Sequence, residues 1–217
     1  NTDLHAMPTI HYTVRKKKLP QTEQIDRVRR ACGQVWSRIA VRFWRTWEKK
    51  GVWLSEKQLH RWMCTDKITA SPDHEALSAF AGKTENPAIC REDREETEDA
   101  PHTVNEIGAA SSHTRQQVVK AFCDALKTWQ KSRDKMHAAG NTGFRPPHRR
   151  KKFYNAEWNG KGIKKEDGKL RLSCGRGNDY IWIDWPHPTP VAVEIGWDGQ
   201  QYEIHATYKS TQDDLGD

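Results

Sequence analysis

The side chains best suited to chemistry are cations gathered in one short run. Arg145, His148, Arg149, Arg150, Lys151 and Lys152 fall within GFRPPHRRKKFYNAEW, the stretch from Gly143 to Trp158. Pro146 and Pro147 fix φ and remove two amide donors, and the residue before each proline is pushed toward extended geometry. The stretch therefore reads as a stiff, extended strap, not the middle of a helix. Guanidinium and ammonium groups suit phosphate oxygens, and the rings of Phe153, Tyr154 and Trp158 just behind suit stacked bases or sugars. A solvated linker between a helical and a strand-rich part would carry the same charges; the aromatic tail and the rest of the chain favour nucleic acid.

The whole composition points the same way. The 217 residues carry a formal net charge of +7 with a pI near 9.2, and 35% are hydrophobic. A surplus of cations on a polar chain is matched by a polyanion. The surplus is uneven, because Arg91 to Asp99 (REDREETED) is strongly acidic and leaves the remaining surface more basic. No apolar run approaches a membrane span and no signal-like segment opens the chain, so the expectation is a cytoplasmic protein without a membrane partner.

Other chemistries are poorly served. Cys32, Cys64, Cys90, Cys123 and Cys174 are scattered, odd in number and without a CxxC pair, which argues against a disulfide framework or a zinc knuckle. The histidines lack HExxH or HxxxH spacing, and no metal or other cofactor is expected in this chain. No nucleophile elbow or ordered triad is visible, and Asp184 and Glu194 read as salt-bridge partners on strands.

The elements that must position the cations can be read from periodicity. Residues 9–14 alternate with Ile10, Tyr12 and Val14 on one side, a strand, followed by the cluster Arg15, Lys16, Lys17 and Lys18. From about Thr22 to Lys50 the period is helical, with Ile25, Val28, Cys32, Val35, Ile39, Phe43 and Trp47 on one face and Gly51 as the stop. Arg38 and Arg42 fall away from that stripe, where a solvated face explains them as simply as RNA does. Ser55 with Gln58 forms a capping box for a second helix, flanked by Leu54 and Leu59 as a staple. Residues 65–110 read as a short helix near His74 to Phe80 and then a mobile acidic loop over about 83–110. A third helix spans about Ser112 to Ala138, with Val119, Phe122, Leu126, Trp129 and Met136 on its apolar face and Arg115, Gln116 and Lys120 on other faces as candidate nucleic-acid contacts.

Beyond the strap the period becomes two. Lys169 to Ser173, Tyr180 to Trp185, Val191 to Trp197 and Tyr202 to Lys209 read as strands, with a hairpin at Asp198-Gly199 and a weaker one at Asp167-Gly168. Val191, Val193, Ile195 and Trp197 are expected to face a core opposite Tyr202, Ile204, Ala206 and Tyr208. The fold class is α+β: a small antiparallel barrel, joined by the N-terminal strand, with a long helical insertion after that strand.

The order of these elements and several local words resemble the N-terminal half of a TnpB-type transposon-encoded RNA-guided nuclease, or of a related miniature type V CRISPR effector. The words are LPQTEQIDRVRRACGQVWSRIA, GVWLSEKQLHRW, TRQQVVKAFCDALKTWQK, GFRPPHRRKKF and DGKLRLSCGRG. The resemblance implies a wedge-like oligonucleotide-binding module, built from residues 1–18 and 141–217, and a helical recognition lobe over 19–140. The partners it implies are a guide RNA and target double-stranded DNA with a short flanking motif; a dimer or a further protein partner stays open. In that family a RuvC-like nuclease follows, with magnesium on a Gly-[Ile/Val]-Asp word and a zinc ribbon later. That word is missing here, so the chain as given is expected to bind and not to cut, with magnesium and zinc belonging only to the nuclease portion.

The resemblance also implies roles. Gln116, with Ser112 and Thr114, would help read the flanking motif, since Gln can bond two edges of adenine; an ordinary exposed helix position is the rival reading. Tyr154, Asn155 and Trp158 would approach the DNA, although Trp158 could equally be core. Lys57 is a further contact, Ser55 being explained by its cap. Gly175-Arg176-Gly177-Asn178 reads as a turn with Arg176 touching RNA. Arg15 to Lys18, Arg145 and Arg149 to Lys152 would hold phosphates without reading sequence. Rival classes are a DNA-binding regulator reading duplex, against which stands the lack of a compact helix-turn-helix, and a protein-interaction scaffold built on ten tryptophans. Reversing Arg149, Arg150 and Lys151 to glutamate should weaken RNA binding and flatten its salt dependence by about 0.7 in log–log slope per lost contact. Filter binding across a salt series reads this directly, and unchanged binding would return the strap to a linker.

Overall fold

The computed structural model describes residues 10–19, 22–64, 106–140, 146–147 and 152–210. The expected helix near His74 to Phe80 and the acidic run at 91–99 lie outside these residues. The described chain is mixed α and β. Strand β1 (Ile10–Leu19) leads into α1 (Glu23–Lys50) and α2 (Glu56–Cys64). A 3-10 turn (Ile107–Ala109) then opens α3 (Ser112–Ala138), and six strands follow.

Each helix begins and ends where its local chemistry dictates. Thr22 accepts the Ile25 amide at 3.2 Å, Glu23 and Asp26 sit in the first turn, and Lys49 and Lys50 sit in the last. Gly51 closes α1 at φ +64°, its amide bonded to the Trp47 carbonyl at 2.8 Å. The capping box of α2 is reciprocal: the Ser55 hydroxyl accepts the Gln58 amide, and the Gln58 side chain accepts the Ser55 amide at 2.9 Å. The stripe from Ile25 to Phe43 is buried, but Trp47 is 42% exposed, because α1 runs on past the elements that cover it.

The strands are β2 (Ala156–Asn159), β3 (Ile163–Glu166), β4 (Lys169–Leu172), β5 (Ile181–Asp184), β6 (Ala192–Trp197) and β7 (Tyr202–Ser210). They form two antiparallel sheets, one ordered β1-β7-β6-β2 and the other β3-β4-β5. Among the described residues no ladder joins the two into a closed barrel. The 3-10 turn Gly160–Gly162 separates β2 from β3, and Pro186, Pro188 and Pro190 remove ladder donors between β5 and β6. Two buried indoles tie the sheets instead. Trp158 donates to the Ser173 carbonyl at 2.6 Å, and Trp185 donates to the Tyr208 hydroxyl at 2.9 Å.

Two strands went unread in the sequence. β3 has one apolar residue, Ile163, and β2 hides in the tail of the strap. The turn at Asp167-Gly168 is the tighter hairpin: both residues have positive φ, 47° and 74°, and Glu166 pairs directly with Lys169. Asp198 closes the longer β6–β7 loop by accepting the Gln200 and Gln201 amides at 2.8 Å. In that hairpin Val193, Ile195, Tyr202, Ile204, Ala206 and Tyr208 are buried, whereas Val191 and Trp197, expected inside, are 44% and 41% exposed at the strand ends.

β1 is longer than its alternation implies. It pairs with β7 from Ile10↔Ser210 to Leu19↔Tyr202, so Arg15, Lys16 and Lys17 are strand residues opposite His205, Ile204 and Glu203, with a shift of register between Lys17 and Leu19. This ladder joins the two ends of the described chain, and α1, α2 and α3 are inserted between its strands. One continuous apolar core then runs from Val28, Ile39 and Phe122 in the helices to Val193, Ile195 and Ile204 in the sheet.

The segment before α3, expected as mobile loop up to Ala110, is instead a fixed turn at its end. The Gly175 amide bonds the Ala109 carbonyl at 2.8 Å, and Asn178 donates to the Gly108 carbonyl at 3.2 Å. A Cβ on Gly175 would stand 1.6 Å from the Gly108 carbonyl oxygen, whereas a Cβ on Gly108 would meet nothing within 4 Å. Gly175→Ala should therefore lower Tm by roughly 3–10 °C through forced separation of the two backbones. Gly108→Ala should leave Tm near the wild-type value, as a calorimetric scan of both would show.

Candidate nucleic-acid interface

The strap is fastened to α1 at both of its described ends. Near its start, Trp44 donates to the Pro147 carbonyl at 3.5 Å. Near its finish, the Tyr154 amide bonds the Arg29 carbonyl at 3.1 Å, and the Tyr154 ring stacks on Trp36 with centroids 4.7 Å apart. Phe153 receives three cations: Arg29, Arg30 and Lys152 lie 5.7, 6.0 and 5.8 Å from its ring centroid. Arg29 is itself buried, its other side 5.2 Å from the Tyr202 ring, while the Tyr202 hydroxyl donates to the Asp26 carboxylate. Burial first, and then that carboxylate, push the Tyr202 phenol up from its ordinary value.

The aromatic tail thus has structural work. Tyr154 is half-buried against Trp36, and Trp158 is fully buried, so neither offers a free ring to a base. Asn155 is exposed and donates to Glu194 at 2.6 Å. Lys152 is exposed beside Phe153. Arg145, Arg149, Arg150 and Lys151 lie outside the described residues, as do the side chains of Arg15, Lys16, Lys17 and Lys18.

The expected contacts at the start of α3 divide. Thr114 is fully buried, its hydroxyl 2.9 Å from that of Ser111, which caps the helix by accepting the Thr114 amide. Arg115 is 4% exposed and points into the interior. Neither can meet DNA from there, because the turn at Ile107–Ala109 and the loop at Gly175–Asn178 close over this end of the helix. Ser112 and Gln116 are half-buried and still reach the surface. Lys120 is exposed and shared with Asp124 at 3.0 Å, which holds the aspartate below its ordinary value.

On the helical insertion, Lys57 is exposed and Arg42 is buried, its guanidinium 5.8 Å from the Trp62 ring. Arg30 is consumed by a two-pronged bridge to Glu106 at 2.5 and 2.9 Å. Arg38 differs. It is half-buried, burial pulls its pKa below the ordinary value, and among the described residues it has no carboxylate or hydrogen-bond partner. Partial burial without a counter-ion makes this guanidinium a candidate for an anion. Helical periodicity puts Arg27 and Arg45 on the same line of α1 as Arg38. Arg176 is exposed on the loop that clamps the start of α3.

Among the described residues no group of three or more histidine, cysteine or carboxylate side chains could hold a metal ion, and no helix is long and apolar enough to cross a membrane. Cys32 and Cys123 are buried, and their thiols are pushed up to about 12, chiefly by that burial. No protein-family model matches the chain, and no curated protein matches its sequence.

On the outer side of the β1-β7-β6-β2 sheet, Glu157 stands directly opposite Glu194, which stands opposite His205. Burial first and Glu194 second hold the Glu157 carboxyl above its ordinary value of 4.5. A carboxyl raised in the folded state favours folding while it is protonated and loses that contribution as pH rises through its folded pKa. Glu157→Gln should therefore raise Tm at pH 7, with the gain disappearing at about pH 4, below the ordinary glutamate value. Calorimetry at the two pH values checks the sign.

Proposed function

We propose that this chain holds a guide RNA and presents it to target double-stranded DNA with a short flanking motif, as the non-catalytic half of a TnpB-like, RNA-guided nuclease. The observation that carries the reading is topological. The first strand pairs with the last described strand, and the helices are inserted between them. A recognition lobe inserted into a wedge module has that order of elements. On this reading the two sheets are the sides of a small, open oligonucleotide-binding barrel.

The distribution of charge supports the same reading. The described ends of the strap are fastened to α1 at Arg29, Trp36 and Trp44, and helical periodicity sets the Arg27–Arg38–Arg45 line on the opposite side of that helix, so basic groups flank α1 on two sides. These groups would neutralise phosphates and set the register of the nucleic acid, leaving sequence to base pairing. Gln116 and Ser112, polar positions of α3's first turns that reach the surface, would meet the flanking motif. Thr114 and Arg115 support that helix end from inside.

The test is to purify the chain from cells expressing its native locus and to sequence the RNA that survives a high-salt wash. One dominant structured RNA with a variable end is expected; heterogeneous RNA, or none, would contradict guided binding. Arg38→Ala should lower affinity for that RNA about three- to tenfold, the scale of one charge-assisted phosphate contact, while Tm stays level or rises because a desolvated charge is removed. An unchanged affinity would take Arg38 out of the interface.

A further inference from the structure

The three-stranded sheet β3-β4-β5 has two faces of opposite character. Leu170, Leu172, Ile181 and Ile183 are 0–5% exposed and fill its inner face. On the outer face, the cross-strand register lines up Lys164, Arg171 and Trp182 in one row and Glu166, Lys169 and Asp184 in the next. Trp182 is 46% exposed, and Tyr180, just before the strand, is 47% exposed. Their centroids are 6.3 Å apart with the ring planes at 85°, so the two rings meet edge to face and do not stack on each other.

The cations around these rings are placed to serve them. The Arg171 guanidinium lies 4.4 Å from the Tyr180 centroid and 3.5 Å from Glu166. Lys164 is exposed, and Lys169 meets Asp184 only at 3.9 Å. Strict alternation in β5 sets Ile181 and Ile183 inward and leaves Trp182 outward, where folding gains little from so large a ring. Two rings bordered by cations and carboxylates do not form the continuous apolar patch that a protein anchor fills. They do form a platform for nucleotides with unpaired bases, which offer a flat π-face and a phosphate together. A duplex cannot use the platform, because its base faces are already stacked.

We propose that the outer face of β3-β4-β5 binds single-stranded RNA, with Trp182 stacking one base, the Tyr180–Arg171 pair flanking the next position and Lys164 meeting phosphate. The carboxylates of Asp184 and Glu166 in the neighbouring row select RNA over DNA, since each can accept a hydrogen bond from a 2′-hydroxyl. This site lies apart from the strap and goes beyond the guided reading: it needs only a short unpaired strand and no target.

The test uses the whole 217-residue chain and a fluorescently labelled, unstructured RNA of about eight nucleotides, a length within the usual footprint of such platforms. Anisotropy should show Trp182→Ala binding about tenfold more weakly, Trp182→Phe keeping most of the affinity, and Lys164→Ala lowering the salt slope by about 0.7. A DNA strand of the same sequence should bind more weakly than the RNA. Circular dichroism should be unchanged in all three variants, whose side chains lie outside the core. Wild-type affinity in a folded Trp182→Ala protein would overturn the platform, and equal binding of DNA would overturn its assignment to RNA. Neither outcome depends on the native guide: Trp182-dependent binding without a copurified structured RNA would keep this site and reject the guided reading, and the converse pattern would do the reverse.

Discussion

The structure depends on the contact between the end of the strap and the first helix. Tyr154 gives its amide to the Arg29 carbonyl and its ring to Trp36, while Phe153 sits among Arg29, Arg30 and Lys152. Arg29 passes the contact on to Tyr202 at the start of β7, and Tyr202 returns to α1 through Asp26. Three parts of the chain far apart in sequence therefore share one cluster of rings and guanidinium groups. Remove the rings and the described end of the strap loses its hold on α1, and β7 loses one of its links to the helices.

That cluster also sorts the cations. Some are used inside: Arg29 between rings, Arg30 on Glu106, Arg42 at Trp62 and Arg115 in the interior. Others neutralise carboxylates on the surface of α3, where Lys120 and Lys127 share Asp124. What remains outward, at Arg38, Lys57, Lys152, Lys164 and Arg176, is spread over helix, strap and sheet and not gathered in one pocket. An extended polyanion can touch such a surface at several points, and a small anion cannot.

The helices were legible because their signals are local. The stripe of α1, its glycine stop and the Ser55–Gln58 box each need only neighbouring residues to operate. The long β1–β7 pairing was legible only in part: alternation marks Ile10 to Val14, and the basic continuation becomes strand because β7 is there to receive it. β3 could not be read from IKKE, whose strand character comes from the Asp167-Gly168 turn and from Leu170 and Leu172 across it. Among site residues the ambiguity lay in burial. Thr114 and Arg115 look like an exposed first helical turn until the Gly175–Asn178 loop is placed over them, and Trp158 looks like a strap ring until β6 pairs beside it. Trp182 has no role in the sequence reading; alternation in β5 sets it on the other face from Ile181 and Ile183, and only the register brings it beside Arg171 and Lys164.

The most direct measurement is photo-crosslinking of the copurified RNA to the intact chain, with the crosslinked peptides identified by mass spectrometry. If the strap and the outward arginine line of α1 both hold the polyanion, crosslinks will appear in residues 145–152 and on the Arg27–Arg38–Arg45 line. Crosslinks confined to other surfaces, with strap and α1 untouched, would contradict the account.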